Sequence, residues 1–439
     1  MAGTLKAGAA IIDITPKDSQ FLFGYPHVKR YSTGVHDPLL SSALYISNGP
    51  AQAIFIANDI IFVSRDLVRR ARQRINELTG VLADNIMITA THTHSGPVTV
   101  DYISSQADTI IPKADPAYLK LLEDGIVTAA SQAFKNIQPA QIGLALADST
   151  GIGTNRRAPD DPADMQVPVL MVRSPDGKTN IACMLICSMH PTVLHEDSTL
   201  ISGDFPAMAR LYLQKNILGS RCPVLHHTGP SGNQSPRHVT KANTFQEAQR
   251  LGKILAHAVA EVFGSIEYKT DVNLSSKQAF TDLPRKTFPT VKQARDKLDK
   301  AEQNLEYLRK TNASRQQIRT AECDWFGAEE TLTLAHAAQL GRLQKTYDSL
   351  LPAEIQVIKI GPWKFVAWQG EIFTEYALAV KQKFENTFVI SLANGELQGY
   401  ITTAQAATEG GYEASNALFS HDSGKVIVDK TLEILDNLK

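Results

Sequence analysis

Short apolar runs recur along the chain, and most of them end in Gly, Pro, Asn or Asp, which is typical of β-strands. Such runs occur at 7–16, 42–48, 51–63, 85–91, 166–174, 180–190, 223–229, 354–361, 364–370 and 387–394. The runs at 166–174 and 180–190 flank the turn sequence PDGK, which predicts a pair of adjacent strands. These segments therefore predict a protein with extensive sheet.

Apolar residues spaced by three and four predict helices between these strands. The predicted helices cover 64–79, 115–135, 244–264, 373–384 and the closing segment 426–438. Because strands and helices alternate, we predict an α/β (α+β) fold with a mixed sheet, in one domain that spans residues 1–439.

One segment differs in composition and in pattern. Between Val291 and about Leu340, Lys, Glu, Gln, Ala and Leu dominate, and TNAS separates two runs with apolar spacings of three and four. This pattern predicts an antiparallel helical hairpin with a coiled-coil seam, inserted at 288–342. The hairpin could be a structural insertion, an arm, a wall of a site or a contact between two copies of the chain.

The composition excludes some classes of function. Of the 439 residues, 43% are hydrophobic and 20% charged, as in ordinary globular proteins, and a net charge of −1 gives no field that favours nucleic acid or anionic membranes. No apolar run approaches the roughly 18 residues of a membrane span. The first ten residues lack the apolar core of a signal peptide. We expect a soluble chain that is secreted or periplasmic if a leader was removed, and cytoplasmic otherwise.

The first candidate for chemistry is the pair His92 and His94, at the end of the apolar run 85–91. Alternate residues of a strand point to one face, so both imidazoles would share a side at a strand end. Imidazole is a favoured zinc ligand, although a buried polar pair is an equally good interpretation of this pattern alone.

Further polar residues also follow apolar runs. His190 ends the run 180–190, while the nearby His195 is interpreted as a solvated loop residue and Asp204 as a helix N-cap or a site acid. Glu371 opens a helix, where it could bind a metal or complement the helix dipole.

The glycine-rich segments add hydroxyl groups to this set. The third histidine cluster, His226 and His227, leads into a loop with Ser235, and Tyr400 and Tyr412 lie in Gly-flanked segments. Several imidazoles, a carboxylate and phenols at strand ends are about what a zinc hydrolase needs, namely three or so protein ligands and an open position for water.

Several motifs together resemble one known family. THTHSGP, HPT with TLISGDFP, GNQSP, GEIFT, and GYITT with YEAS occur in the order and spacing of the neutral (non-lysosomal) ceramidases. GYPHVKRYSTGVHDP resembles the N-terminal segment of that family. The resemblance covers most of the chain outside 270–350, and it predicts a short member with the catalytic domain but without the family's C-terminal β domain.

The resemblance implies one zinc ion and a set of site residues. The implied metal ligands are His92, His190, Glu371 and Tyr400. Ser235 falls on the position assigned as the nucleophile, and the implied pocket-lining residues are His94, Arg156 and Tyr412.

This resemblance implies a zinc-dependent hydrolase that cleaves an N-acyl amide bond of a small or lipid-like substrate with metal-activated water. His94 or Arg156, together with Tyr412, would stabilise the oxyanion, and Ser235 would be either a nucleophile or a positioning donor. Two alternatives stay open. One is a zinc hydrolase of an ester, a lactone or a glycoside of a sugar-like substrate, and the other is a non-catalytic metal-binding protein on the same fold. A homo-oligomer formed through the hairpin is compatible with all three.

Overall fold

The computed structural model describes residues 4–438, which form nineteen strands and eleven α-helices. The strands in chain order are β1 (Lys6–Asp13), β2 (Gly34–Val35), β3 (Leu40–Ser47), β4 (Gln52–Asn58), β5 (Ile86–Ala90), β6 (Gln138–Pro139), β7 (Gln141–Asp148), β8 (Thr154–Asn155), β9 (Gln166–Arg173), β10 (Asn180–Cys187), β11 (Leu200–Ile201), β12 (Val224–Thr228), β13 (Gln234–Ser235), β14 (Leu274–Thr281), β15 (Ala353–Ile360), β16 (Trp363–Trp368), β17 (Glu371–Ile372), β18 (Thr387–Ile390) and β19 (Tyr400–Ile401).

The α-helices alternate with these strands along most of the chain. They are α1 (Arg65–Thr79), α2 (Pro116–Lys135), α3 (Asp204–Leu213), α4 (Phe245–Glu261), α5 (Val291–Lys310), α6 (Arg315–Gln339), α7 (Leu343–Leu350), α8 (Thr374–Lys383), α9 (Ala404–Glu409), α10 (Tyr412–Ser415) and α11 (Asp422–Asp436). None of the helices within residues 4–438 combines the length and the apolar character that a bilayer crossing requires.

The strands form three large sheets, with the orders β5-β4-β3-β1-β6, β12-β10-β9-β7 and β14-β15-β16-β18. Each sheet combines antiparallel pairs with one parallel pair, which is β4–β5 in the first sheet, β10–β12 in the second and β16–β18 in the third. The mixed-sheet α/β (α+β) fold predicted from the sequence is therefore confirmed.

The three sheets share one apolar core because each turns one face towards it. Phe55 of β4, Met184 of β10 and Phe365 of β16 belong to this common cluster. Successive residues of a strand point to opposite faces, so Ile54 and Ile56 lie instead in the cluster beneath α1 and α2. The second sheet is covered by α3 and α4, and the third by α6–α8 and α11. The sheets thus form the inside of the molecule and the helices the outside.

Side-chain caps fix the starts of the long helices. Ser64 accepts the backbone N–H of Leu67 at the start of α1, Asp115 precedes a proline at the start of α2, and Thr244 caps α4. The predicted starts at 64, 115 and 244 agree with these caps. The interpretation of Asp204 as the N-cap of α3 is wrong, because α3 begins at Asp204 itself. Its carboxylate accepts the N–H groups of Val193 and Leu194.

Helices α5 and α6 form a hairpin between β14 and β15, which are adjacent antiparallel strands of one sheet. The hairpin has its own apolar seam, which consists of Ala294, Leu298, Ala328, Leu332 and Ala335. Both helices begin with capping boxes, at Thr290 and Ser314. The division of the chain into a catalytic domain and an insertion at 288–342 stays a prediction, as does association of two copies through the hairpin.

Candidate metal centre

Three of the predicted site residues meet at the ends of strands from three different sheets. His92 follows β5 by two residues, His190 follows β10 by three, and Glu371 begins β17. The Nε2 atoms of His92 and His190 are 3.0 Å apart. Glu371 Oε2 lies 3.3 Å from His92 Nε2 and 3.2 Å from His190 Nε2. All three side chains are buried.

Backbone carbonyls fix the orientation of both rings. His92 Nδ1 lies 2.9 Å from the carbonyl oxygen of Ile61, and His190 Nδ1 lies 2.9 Å from that of Ser231. A carbonyl can only accept a hydrogen bond, so the ring proton of each neutral imidazole is on Nδ1. Both Nε2 lone pairs then face each other and a carboxylate oxygen, an arrangement that a shared cation would satisfy.

The backbone of His92 is held in an unusual conformation. Its φ is +69°, in the left-handed region that costs a residue with a β-carbon about 1–3 kcal/mol. The N–H of His92 donates to the carbonyl of Ile60 at 2.9 Å, so residues 60 and 61 hold both the backbone and the ring. This strain turns the imidazole towards His190 instead of continuing the line of β5.

His94 is a third imidazole with the same kind of support. Its Nδ1 lies 3.1 Å from the carbonyl oxygen of Gly24, and its Nε2 has no hydrogen-bond partner among residues 4–438. The nitrogen donors of His92, His94 and His190 all lie within 4.8 Å of one another and could hold a metal ion. His94, predicted to line the pocket, is therefore also positioned as a possible ligand.

Gly24 has to be glycine for two reasons. Its φ is +124°, which side chains with a β-carbon rarely adopt. A β-carbon at this position would also overlap the His94 ring. The GYPH motif, which resembles the family's N-terminal segment, therefore packs directly against a residue of the site through Gly24.

The buried groups of the cluster shift one another's pKa values. Burial raises the pKa of Glu371, but His92 and His190 outweigh that effect and hold this pKa well below its usual range. Burial, with help from Arg156 and His92, lowers the pKa of His190 to about 4. The pKa of His94 is also well below its usual value, chiefly because of burial. At neutral pH the ionised Glu371 therefore faces neutral rings of His190 and His94, which is the protonation state that metal ligands need.

Tyr400 lies next to this cluster. It pairs with Glu371 in the parallel register of β17 and β19, and its ring is 5.2 Å from the guanidinium carbon of Arg156. Burial and the charge of Glu371 raise the pKa of Tyr400 well above its usual value, while Arg156 lowers it. The Nη2 atom of Arg156 has no hydrogen-bond partner within residues 4–438.

Glu413 fixes the position of Arg156 and was not anticipated from the sequence. Arg156 Nε donates to Glu413 Oε1 at 2.8 Å, and Arg157 donates to the other carboxylate oxygen at 3.1 Å. The neighbouring Tyr412 has its ring 5.9 Å from that of Tyr400. Burial and the charge of Glu330 raise the pKa of Tyr412 well above its usual value, so its hydroxyl stays a hydrogen-bond donor.

Ser235 is buried in β13, which pairs with β8 just before Arg156. Its Oγ accepts the N–H of Arg237 at 3.3 Å as the cap of a short 3-10 helix. This arrangement leaves both predicted roles of Ser235, nucleophile and positioning donor, as predictions.

Arg30 is a second residue that sequence reasoning missed. The guanidinium is fully buried, donates to the carbonyl oxygens of His94 and Ser198 at 2.9 Å each, and lies 5.2 Å from the Tyr25 ring centroid. It thus ties the loop after β5 to the loop after β10. Only its proximity to the GYPH motif in the sequence could have suggested such a role.

Comparison with known proteins identifies the family. Residues 5–223 match the N-terminal part of the neutral/alkaline non-lysosomal ceramidases. The chain belongs to this family. The matched segment contains His92, His94, Arg156 and His190, whereas Glu371, Tyr400 and Tyr412 lie beyond it.

Curated ceramidases are distant in sequence. A neutral ceramidase from Mycobacterium tuberculosis is 25% identical over 235 residues, which cover 49% of this chain and 37% of the relative. Neutral ceramidase A from Dictyostelium discoideum is 24% identical over 280 residues, which cover 59% of this chain and 39% of the relative. The chain thus spans well under half the length of these ceramidases.

The fold resembles that of a solved ceramidase. The crystal structure of the neutral ceramidase from Pseudomonas aeruginosa matches 100% of this chain and 75% of that chain, with a TM-score of 0.77 and 18% sequence identity. A structure described as ceramidase complexed with C2 matches 97% of this chain with a TM-score of 0.74 and 16% identity. Both comparisons support the ceramidase catalytic fold.

Proposed function

We propose that this ceramidase-family chain is a zinc-dependent amidohydrolase that cleaves the N-acyl amide bond of ceramide or a related lipid-like amide. The observation that carries this proposal is the convergence of His92 Nε2, His190 Nε2 and Glu371 Oε2 within 3.3 Å, with both Nδ1 protons already donated to carbonyls. The family membership and the names of the relatives support the amide as the bond that is cleaved.

The proposed metal ligands are His92, His190, Glu371 and Tyr400, with His94 as a further nitrogen donor. Two or three imidazoles and a carboxylate suit zinc, although other divalent ions accept the same donors. When bound, zinc acidifies water to a pKa near 7 and polarises a carbonyl group. The carbonyls of Ile61 and Ser231 would keep both rings oriented for the ion.

The residues around the cluster would handle the charge that develops on the amide. Glu413 accepts a hydrogen bond from Arg156 Nε and fixes the guanidinium, while Nη2 has no partner within residues 4–438. Arg156 can therefore donate to an oxyanion through Nη2 without first moving. The Tyr412 hydroxyl, which stays protonated, would be a second donor. Ser235 is proposed as a nucleophile or as a group that positions the substrate.

Elemental analysis combined with a hydrolysis screen tests this function. We expect about one zinc ion per chain and turnover of N-acyl amines of short and long acyl length, lost with a chelator and restored by zinc. Turnover of esters, lactones or aryl glycosides without amide cleavage would contradict the proposed bond, and metal without turnover would favour a binding protein.

Replacing Ser235 by Ala separates its two proposed roles. We expect a loss of more than about 10³-fold in kcat if Ser235 forms a covalent intermediate, and about tenfold or less if it only positions the substrate. Single-turnover kinetics would show an accumulating intermediate in the first case alone.

A further inference from the structure

Helix α6 of the hairpin lies across the loops that carry the metal centre. Arg319 forms an ion pair of 3.0 Å with Glu196 in the loop after His190, and Thr320 accepts a hydrogen bond of 2.8 Å from Arg237, which follows Ser235. Further along the same helix, Glu329 pairs with His27 in the loop after Gly24. The hairpin is therefore fastened around the site and is not a free arm.

The middle of α6 packs closely on α10, the short helix that begins with Tyr412. A β-carbon on Gly327 would come within 2.9 Å of the Ser415 β-carbon, so only glycine allows this approach. Thr331 Oγ1 also donates to the carbonyl of Ser415, at 3.3 Å. Glu330 lies in the same part of α6, three residues after Gly327.

A small cavity with a mixed polar and apolar lining lies between the hairpin and the loops around His27 and Ser104. Its volume is about 200 Å³, and its polar lining includes His27, Ser104, Asp108, Glu329 and Glu330. Ligand pockets for drug-sized molecules are usually about 300–1,000 Å³ and mostly apolar. This cavity is therefore too small for a long alkyl chain, and its polar side chains can bind a small group that carries a polar atom.

Glu330 lines this cavity and is close enough to the metal centre for the charge of Glu371 to act on it. Its side chain is only 7% exposed, and its Oε2 has no hydrogen-bond partner within residues 4–438. Besides burial, the charges of Glu371, Glu329 and Asp108 raise its pKa to about 8, and Glu330 in turn raises the pKa of Tyr412. A buried carboxyl with a free oxygen costs stability unless a ligand satisfies it.

The charges around Glu330 select the ligand. Asp108 and Glu329 are acidic, whereas His27 and Arg295 on the same cavity supply positive charge. Because the signs are mixed, neither a cation nor an anion is strongly favoured. A hydroxyl group suits the site because it can donate to a carboxylate and accept from a carboxylic acid.

We propose that this cavity is a subsite for a neutral, hydroxyl-bearing end of the amide substrate, and that Glu330 is the residue that recognises the hydroxyl. The inference rests on the proposed amidohydrolase function and deepens it. It assigns the hairpin a role in substrate selection, in addition to any structural role.

A matched pair of substrates tests Glu330 directly. N-butyrylethanolamine and N-butyrylpropylamine differ only in a hydroxyl in place of a methyl group. We expect the natural chain to prefer the hydroxylated amide by about tenfold or more in kcat/KM, because a site that binds a hydroxyl rejects the analogue without it. The Glu330→Leu variant should lose this preference by slowing only the hydroxylated substrate, while Glu330→Gln should keep part of it.

Controls separate recognition from general damage. Glu302→Leu makes the same change on the exposed outer side of α5 and should leave the preference intact. Ser104→Leu fills the cavity from the opposite side and should reduce the preference even if Glu330→Leu fails to fold. Zinc content and thermal unfolding confirm that each compared variant is folded and loaded.

The outcomes distinguish this inference from the proposed function. If the natural chain hydrolyses both amides equally, or if Glu330→Leu slows both equally, the subsite is wrong while the amidohydrolase function stands. If the zinc-loaded natural chain cleaves neither amide nor any other N-acyl amine, the proposed function fails and the subsite fails with it.

Discussion

Two pairs of buried histidines show how similar sequence signals lead to different chemistry. His92 and His190 converge on Glu371, and each Nδ1 meets a backbone carbonyl. His226 and His227 are adjacent residues of β12 and point to opposite faces of the strand. His227 Nδ1 lies 2.8 Å from Thr89 Oγ1, whereas neither ring nitrogen of His226 has a partner within residues 4–438.

Burial alone does not separate the two pairs. It lowers the pKa of His190 to about 4 and, as the main cause, the pKa values of His226 and His227 to about 3. The decisive difference is the shared carboxylate and the carbonyls that direct both lone pairs to one point. A metal site is therefore recognised by the convergence of its donors and not by how buried its histidines are.

The largest expected effect comes from removing one converging imidazole. We expect His190→Ala to lower metal affinity by more than about 100-fold, since even outer partners of metal ligands cost about 10–100-fold. Zinc per chain after dialysis and amide hydrolysis should both fall to background. His226→Phe, which removes an imidazole from the other pair, should keep the zinc and the activity. Equal zinc loss in both variants would contradict the distinction between the two pairs.

Gly24→Ala tests a residue that supports the centre and is not itself a proposed ligand. The added β-carbon collides with the His94 ring at a φ of +124°, so we expect a loss of about 2–3 kcal/mol in unfolding free energy and of at least about tenfold in kcat. Gly80 also has a positive φ, of +74°, but open space around it. Gly80→Ala should cost about 1 kcal/mol in denaturant unfolding and leave kcat unchanged.

The His226 pair should be visible in acid stability. A folded pKa of about 3 below an unfolded value of 6.5 means that only the unfolded state binds the proton between these values. The stability is complete above pH 6.5 and is lost as the pH falls, by about 1.4 kcal/mol per pH unit for one histidine. His226→Phe should therefore flatten urea-derived stability between pH 6.5 and 4.5. An unchanged slope would contradict the buried neutral state.

The smallest expected effect concerns Glu413, which contacts Arg156 and is not itself a proposed ligand. Glu413→Gln should loosen Arg156 and lower kcat about tenfold, or about 1.4 kcal/mol, with the zinc content unchanged. Glu409 is exposed and bonds to Arg157 and Gln405 but not to Arg156, so Glu409→Gln should change kcat less than twofold. A similar loss in both variants would mean that Arg157, and not Arg156, is the important partner.

Much of the fold could be predicted from local signals. The caps Ser64, Asp115 and Thr244 mark helix starts in the sequence itself, and the strand β10 alternates between two cores as its residue types suggest. The hairpin was visible because its heptad-like spacing differs from that of its surroundings. These features depend on neighbouring residues, so a single sequence contains them.

The supports of the site could not be predicted in the same way. The contact of Gly24 with His94, the buried Arg30 and the pairing of Glu413 with Arg156 join residues that are far apart in the chain. Glu330 is one acid among many in a charged helix, and nothing in its own helix shows that one oxygen is left without a partner. These roles depend on contacts between residues that are far apart in the chain, whereas the family resemblance identified only residues within the motifs.

The spread of the proposed ligands along the chain has a consequence for folding. His92, His190, Glu371 and Tyr400 are successively 98, 181 and 29 residues apart in the chain, and they follow or lie in strands of three different sheets. An ion held by all of them can be captured with full affinity only after all three sheets have docked. Its release should then track cooperative loss of the whole tertiary structure, which makes the ion a reporter of complete assembly.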